Sequence, residues 1–252
     1  MPEGWAHVFH QTESLIRLVN PVTRKQHPGA VSKFYHYMTE NGVTPPECGI
    51  NDPVAGWDLK AKAAMRAYAF WLNKGIESMH YYSAYAADPL GFGILPPGVI
   101  NMPVNTPFSA LATPPLQALK NLTQVFNGSV ALTPRQLTFE PTALGAQPII
   151  FDGDANHPPL YYHDVLALLP YHVNVHRMVV GIYTMTFDIT HPGQEVTYRL
   201  KIGGINVVPK QVRLYDPYQD TYSVVNVKSA TKTSLLLDAP VSDQLRLLII
   251  DL

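Results

Sequence analysis

With 252 residues and 46% of them hydrophobic, the chain can bury one large core or two ordinary ones. Charged residues make up only 15%, the formal net charge is −1 and no dense Lys/Arg cluster occurs, which excludes a broad electrostatic footprint for nucleic acid. No apolar run approaches the roughly 18 to 20 residues that a membrane span needs, and the opening Met-Pro-Glu-Gly-Trp shows no secretory signal. The single cysteine, Cys48, excludes an intramolecular disulfide and a cysteine-clustered zinc site, and leaves the compartment undecided.

In chain order, residues 5–12 (Trp-Ala-His-Val-Phe-His-Gln-Thr) read as a strand with Glu13 at its C-terminal end. Residues 20–29 carry two prolines and read as a loop. Residues 30–41 read as a short helix, because Val31, Phe34 and Met38 share a face and Gly42 can end it. After a second loop, residues 58–74 read as an amphipathic helix. Ala61, Met65, Tyr68 and Leu72 recur at spacings of four, three and four, and Lys74-Gly75 supplies a cation and a left-handed residue at the end.

Residues 76–82 (Ile-Glu-Ser-Met-His-Tyr-Tyr) follow almost at once and read as an aromatic-rich strand. A helix that feeds a strand through so tight a connection is half of a parallel β/α repeat. Residues 84–113 form a long Pro/Gly-rich connection of the kind that is usually functional or disordered. A second helix is expected over 114–127, with Leu116, Leu119, Leu122 and Phe126 on one face and Gly128 after it.

From about residue 130 the pattern changes to short β-like segments: 148–151, 178–189, 196–202, 211–215, 222–228, 234–237 and 244–251. Turn chemistry such as His191-Pro-Gly193, Gly203-Gly204 and Asp216-Pro217 separates them, which indicates an antiparallel sandwich or barrel. The expected fold class is therefore α/β plus all-β, with residues 1–129 and 130–252 as the two domains. There is no internal repeat and no low-complexity segment.

Two β/α units followed by a β domain resemble the C-terminal portion of a clan A glycoside hydrolase, in which a (β/α)8 barrel is commonly followed by a β-sandwich. His10-Gln-Thr-Glu13 is similar to the end of that family's seventh strand, where a Thr-Glu pair or similar presents the nucleophile. Lys60-Ala-Lys62, Arg66 and Asn73-Lys-Gly-Ile76 resemble the next helix and its turn into the eighth strand. Tyr81-Tyr82 resembles the aromatic end of that strand, and Phe92-Gly93-Ile94-Leu95 the glycine-containing segment after it. The resemblance covers roughly the first half of the chain and implies a partial (β/α)8 barrel, residues 1–129, with an accessory β-sandwich. A complete barrel takes about 250 residues, so it also implies that the first six strands, and the acid/base at the end of the fourth, lie elsewhere. A fragment, or one subunit of a split enzyme, inactive alone, is the expectation.

Retaining glycosidases need two carboxyl groups about 5 to 5.5 Å apart, and barrel active sites open at the C-terminal ends of the strands. Glu13 is then the candidate nucleophile; the competing reading is a solvated carboxylate at a strand end. Alternation puts Gln11 on the face of Glu13 and His10 on the other. Gln11, Tyr81, Tyr82 and Tyr85 are the candidate substrate-binding residues, since an aromatic face packs on the apolar face of a sugar ring. For the tyrosines, core packing is the equal alternative.

The ten histidines are scattered without metal-ligand spacing, and no phosphate-binding glycine motif occurs, so neither metal nor organic cofactor is expected. Expected partners are a carbohydrate substrate and either an N-terminal barrel chain or a second copy of this chain, with no nucleic acid and no membrane. The alternative function is a non-catalytic carbohydrate-binding or interaction protein built on the β-sandwich. All three tryptophans precede residue 72, which favours a bracing role for that domain.

Overall fold

The computed structural model describes residues 37–74, 78–85, 88–130, 135–186 and 194–252. Antiparallel sheets dominate, with a small helical layer. The expected strand at 5–12, and with it Gln11 and Glu13, lies outside the described residues.

The N-terminal part is a strand–helix–strand–helix succession. Strand β1 (Tyr37–Asn41) leads through a 3₁₀ turn (Pro45–Cys48) to helix α1 (Pro53–Asn73), then strand β2 (Ser78–Tyr81). A short helix α2 (Phe108–Leu111) precedes helix α3 (Pro114–Val125). β1 and β2 pair in parallel, with Tyr37 opposite Ser78 and Met38 opposite Met79. The parallel β/α unit expected around α1 is thus present, but its first strand is Tyr37–Asn41. A helix over 30–41 does not hold for residues 37–41. Their Tyr, Met and Thr suit a strand, and pairing with β2 outweighs a three-residue apolar spacing.

Asp52 begins α1 by accepting a hydrogen bond from Ala55 N at 2.8 Å, and Pro53 occupies the first turn, where its missing N–H costs nothing. The helix is not a surface helix with one apolar stripe. Every residue from Leu59 to Ala67 is buried, including Lys60, Lys62 and Arg66, while Leu72, assigned to the apolar face, is 46% exposed. Alanines 61, 63, 64, 67 and 69 keep it thin enough to be enclosed on all sides. α3 is rotated relative to its leucine stripe: Pro115, Ala118, Leu122 and Val125 are buried, at spacings of three, four and three.

The C-terminal part is a two-sheet sandwich. Its strands are β3 (Thr138–Ala143), β6 (Leu166–Asn174), β7 (Arg177–Thr184), β8 (Val196–Gly203), β9 (Gln211–Asp216), β10 (Thr221–Val224), β11 (Asn226–Ala230), β12 (Ser234–Val241) and β13 (Arg246–Asp251). A side hairpin pairs β4 (Ile149–Phe151) with β5 (Leu160–Tyr161). The five-stranded sheet runs β10-β9-β13-β7-β6 and the four-stranded sheet β11-β12-β8-β3, all antiparallel. Met178, Val180, Ile182, Leu248 and Ile250 of the first sheet face Tyr198, Leu200, Ile202, Leu235 and Leu237 of the second. β8 and β12 alternate buried and less buried residues, as strands with one solvated face do.

β7 and β13 are buried almost continuously, because their other face is also covered. Val179, Tyr183, Leu247 and Ile249 form one core with Met65, Phe70 and Trp71 of α1, Ala118 and Leu122 of α3, and Met79 of β2. The order of layers is therefore the β1–β2 pair, the α1/α3 layer, the five-stranded sheet and the four-stranded sheet. The span 222–228 divides at Val225 into β10 and β11, which belong to different sheets.

Three strands of this part, β3, β5 and β6, have no counterpart in the expected set, and β3 and β6 each contain a proline, Pro141 and Pro170. Both lie at sheet edges, where a missing N–H breaks no ladder.

Candidate functional site at the ends of the parallel strands

β1 and β2 end side by side. The register slips between Met38, opposite Met79, and Asn41, opposite Tyr81, so Thr39 and Glu40 together span the length of one residue, His80. An extra residue of this kind bends a strand and redirects what it carries. Glu40 is the penultimate residue of β1. The chain then turns at Gly42, which passes directly beneath the end of β2: a Cβ on Gly42 would lie 1.8 Å from the Tyr82 carbonyl oxygen. Only a residue without a side chain allows that approach.

Along β2 the side chains alternate. Met79 and Tyr81 pack into the helix-facing core. Tyr68 of α1 donates to the Met79 carbonyl at 3.3 Å, and burial pushes the Tyr68 phenol up. Burial drives the Tyr81 phenol well above the usual tyrosine range, against a small opposing pull from the Val43 backbone. His80 and Tyr82 are exposed on the opposite face; Ser78, half-buried, has its hydroxyl 3.3 Å from His80 Nε2. Of the three tyrosines, Tyr82 alone carries an exposed ring, 49% accessible, while Tyr81 and Tyr85 are half-buried.

Tyr82 packs edge-on against Phe92, with ring centroids 5.2 Å apart. Phe92 belongs to a strap that folds back on the end of β2. Ser83 N donates to Phe92 O at 3.4 Å, Ile94 N to Ser83 O at 3.2 Å, and Leu95 N to Ala84 O at 2.8 Å. The Ser83 hydroxyl donates to Tyr85 O at 2.7 Å. The structure thus brings Tyr81, Tyr82 and the end of β1 together at one rim.

Beneath the rim, α1 holds three buried cations. Lys60 donates to Gly93 O at 2.9 Å and to Pro89 O, and lies 4.3 Å from the Trp57 ring centroid. Lys62 donates to both carboxylate oxygens of Asp243, at 2.9 and 2.8 Å, with exposures of 2% and 1%. Arg66 donates to Thr186 O at 2.8 Å and lies over the Tyr183 ring.

Further ties join the helices to the sandwich: Asn73 to Pro170 O at 2.8 Å, Asn121 to Pro217 O at 2.9 Å, Tyr171 to Ala69 O and Tyr218 to Asp58. The sandwich therefore braces the helix that carries the rim. The resemblance drew in residues 60, 62 and 66 only as part of a helix, and no local signal marks these cations as buried.

The outer face of the four-stranded sheet is a lattice of ion pairs, Arg199–Asp238, Lys228–Asp238 and Lys201–Glu140. Among the described residues no group of three or more His, Cys, Asp or Glu is placed to hold a metal ion, and no helix is long and apolar enough to cross a membrane. Comparison of the chain with protein-family models, with curated proteins and with solved structures returns no match.

Proposed function

We propose that residues 37–130 contribute the last two β/α units of a barrel-type retaining glycoside hydrolase, with the sandwich as their brace. Glu40 is the nucleophile in this reading, in place of Glu13. The observation that carries it is the parallel β1–α1–β2 unit, with a Thr-Glu pair in the bulge at the C-terminal end of its first strand. That is the position where barrel enzymes hold their chemistry. The exposed faces of His80 and Tyr82 then line the barrel mouth, and the remaining strands come from outside residues 37–130. No nucleotide or metal enters the reaction.

In such a site the Glu40 carboxylate attacks the anomeric carbon while the bond to the leaving oxygen breaks, and a second carboxylic acid protonates that oxygen. Water then attacks the glycosyl ester, giving up a proton to that second group and releasing Glu40. Tyr82 packs its face on the sugar ring. The acid/base is assigned to no described residue. The test is hydrolysis of activated aryl glycosides by the protein in its cellular form, with Glu40→Gln and Glu13→Gln alongside. Loss of turnover in the Glu40 variant, with the Glu13 variant active, supports the reading. Turnover that survives Glu40→Gln refutes it.

A further inference from the structure

We propose that Lys60 is a positioning residue for the strand-end rim: its side-chain nitrogen seats the strap from Asp88 to Leu95 on α1, holds Phe92 against Tyr82, and makes the seating respond to pH. The geometry supplies the first part. Lys60 is fully buried, and both of its protein acceptors, Pro89 O and Gly93 O, are strap carbonyls on either side of Phe92. Leu90 lies over Gly56, where a Cβ would approach it to 3.0 Å, so the strap rests directly on the helix backbone. At its far end the Thr113 hydroxyl donates to Ile94 O. Among the described residues no other charged side chain reaches into this seat: Asp88 stands at the exposed start of the strap, Glu47 is exposed on the 3₁₀ turn, and Lys120 of α3 lies over Phe108. On α1 itself, Asp58 accepts from Tyr218 and Lys62 pairs with Asp243.

The pH response follows from the burial. Desolvation pulls the Lys60 pKa down to about 8, with the Asp88 carboxylate pulling weakly the other way. A lifted strap returns the ammonium to water and toward the ordinary 10.5. Between those two values the seated form binds fewer protons than the lifted form, so seating strengthens as pH rises and is weakest below about 8. At neutral pH the strap therefore opens most readily. Consequences for sugar access rest on the function proposed above; the seating itself does not.

The experiment is hydrogen exchange of the Ile94 and Leu95 amides in the ligand-free full chain, by rapid mixing and mass spectrometry from pH 6.5 to 10.5. Rates are divided by the intrinsic exchange rate at each pH. The opening ratio is expected to be flat below about pH 7. Above 8 it falls by up to about 300-fold, tenfold for each pH unit between 8 and 10.5. In Lys60→Met it is flat throughout. In Asp88→Asn, a change at an exposed position, the fall begins at lower pH, because the carboxylate that raises the Lys60 pKa is gone. A flat wild-type profile, a fall that persists in Lys60→Met, or an unshifted onset in Asp88→Asn overturns the proposal. Should Lys60→Met fail to fold, the Asp88→Asn onset decides. Inactivity toward glycosides would refute the enzymatic reading while leaving these profiles intact.

Discussion

Replacing Asp243 by Asn probes whether the sandwich fixes the helix beneath the rim. In the wild-type protein Lys62 donates to both Asp243 oxygens at 2.9 and 2.8 Å, and both side chains are almost wholly excluded from solvent. Asparagine keeps one carbonyl acceptor but removes the countercharge from a site where an ammonium is poorly solvated. Breaking a buried pair in this way costs about 3–5 kcal/mol, and the retained acceptor places Asp243→Asn at the lower end, about 3 kcal/mol. For a chain of this size that corresponds to a fall of roughly 6–12 °C in Tm, at about 2–4 °C per kcal/mol.

The double variant Lys62→Met/Asp243→Leu removes both charges, and it should be less destabilised than Asp243→Asn alone, since burying apolar groups avoids the desolvation penalty. Urea unfolding followed by far-UV circular dichroism and by tryptophan fluorescence gives both numbers. Trp57 and Trp71 lie in α1, so their fluorescence follows the helical part, whereas circular dichroism follows mainly the sheets. Because α1, α3 and the five-stranded sheet share one core, the two probes should report the same midpoint. An Asp243→Asn cost below about 1 kcal/mol, as for a solvated pair, or two separated transitions, would refute this account of the brace.

Two further outcomes follow from single sites. Gly42→Ala should destabilise the chain by about 1–3 kcal/mol through overpacking against the Tyr82 carbonyl. It should also alter the near-UV dichroism of the Tyr82–Phe92 pair; an unperturbed spectrum would contradict the close approach. Hydrogen bonding to Arg199, with help from Lys228, holds the Asp238 carboxyl below its ordinary range. Its contribution is present above the ordinary carboxylate pKa and is lost as pH falls through the depressed one. Asp238→Asn should therefore show a shallower loss of stability below the ordinary carboxylate pKa of about 4 in denaturant titrations, and an unchanged acid limb would refute the assignment.

Much of the architecture is legible in the chain, for identifiable reasons. The alanine-rich interior of α1, the Pro114–Pro115 start of α3, and the alternation in β8 and β12 are local signals that tertiary structure reinforces, whereas α1 begins at Pro53, five residues before the expected 58. What is not legible depends on partners distant in sequence. Residues 37–41 form a strand because β2 lies beside them, and β3 and β6 tolerate Pro141 and Pro170 because they sit at edges. Lys60, Lys62 and Arg66 are buried because strap carbonyls, Asp243 and Thr186 O, all distant in sequence, receive them. At the candidate site the sequence pattern singles out Tyr81 and Tyr82, which do meet the end of β1. The resemblance singles out Glu13, which lies outside the described residues, while apolar spacing reads Thr39-Glu40, the pair proposed here, as part of a helix.

The most direct test of the central claim, a nucleophilic carboxylate at the bulged end of β1, is covalent trapping. A panel of 2-deoxy-2-fluoroglycosyl fluorides is incubated with the protein in its cellular form, followed by proteolysis and mass spectrometry. Fluoride leaves without needing a proton, and the C2 fluorine slows breakdown of the glycosyl ester, so the nucleophile is labelled even where acid assistance is weak. The account predicts a single glycosyl adduct on Glu40, abolished in Glu40→Gln and weakened in Tyr82→Ala. An adduct on Glu13 or any other carboxylate, or no adduct with any sugar of the panel, contradicts it.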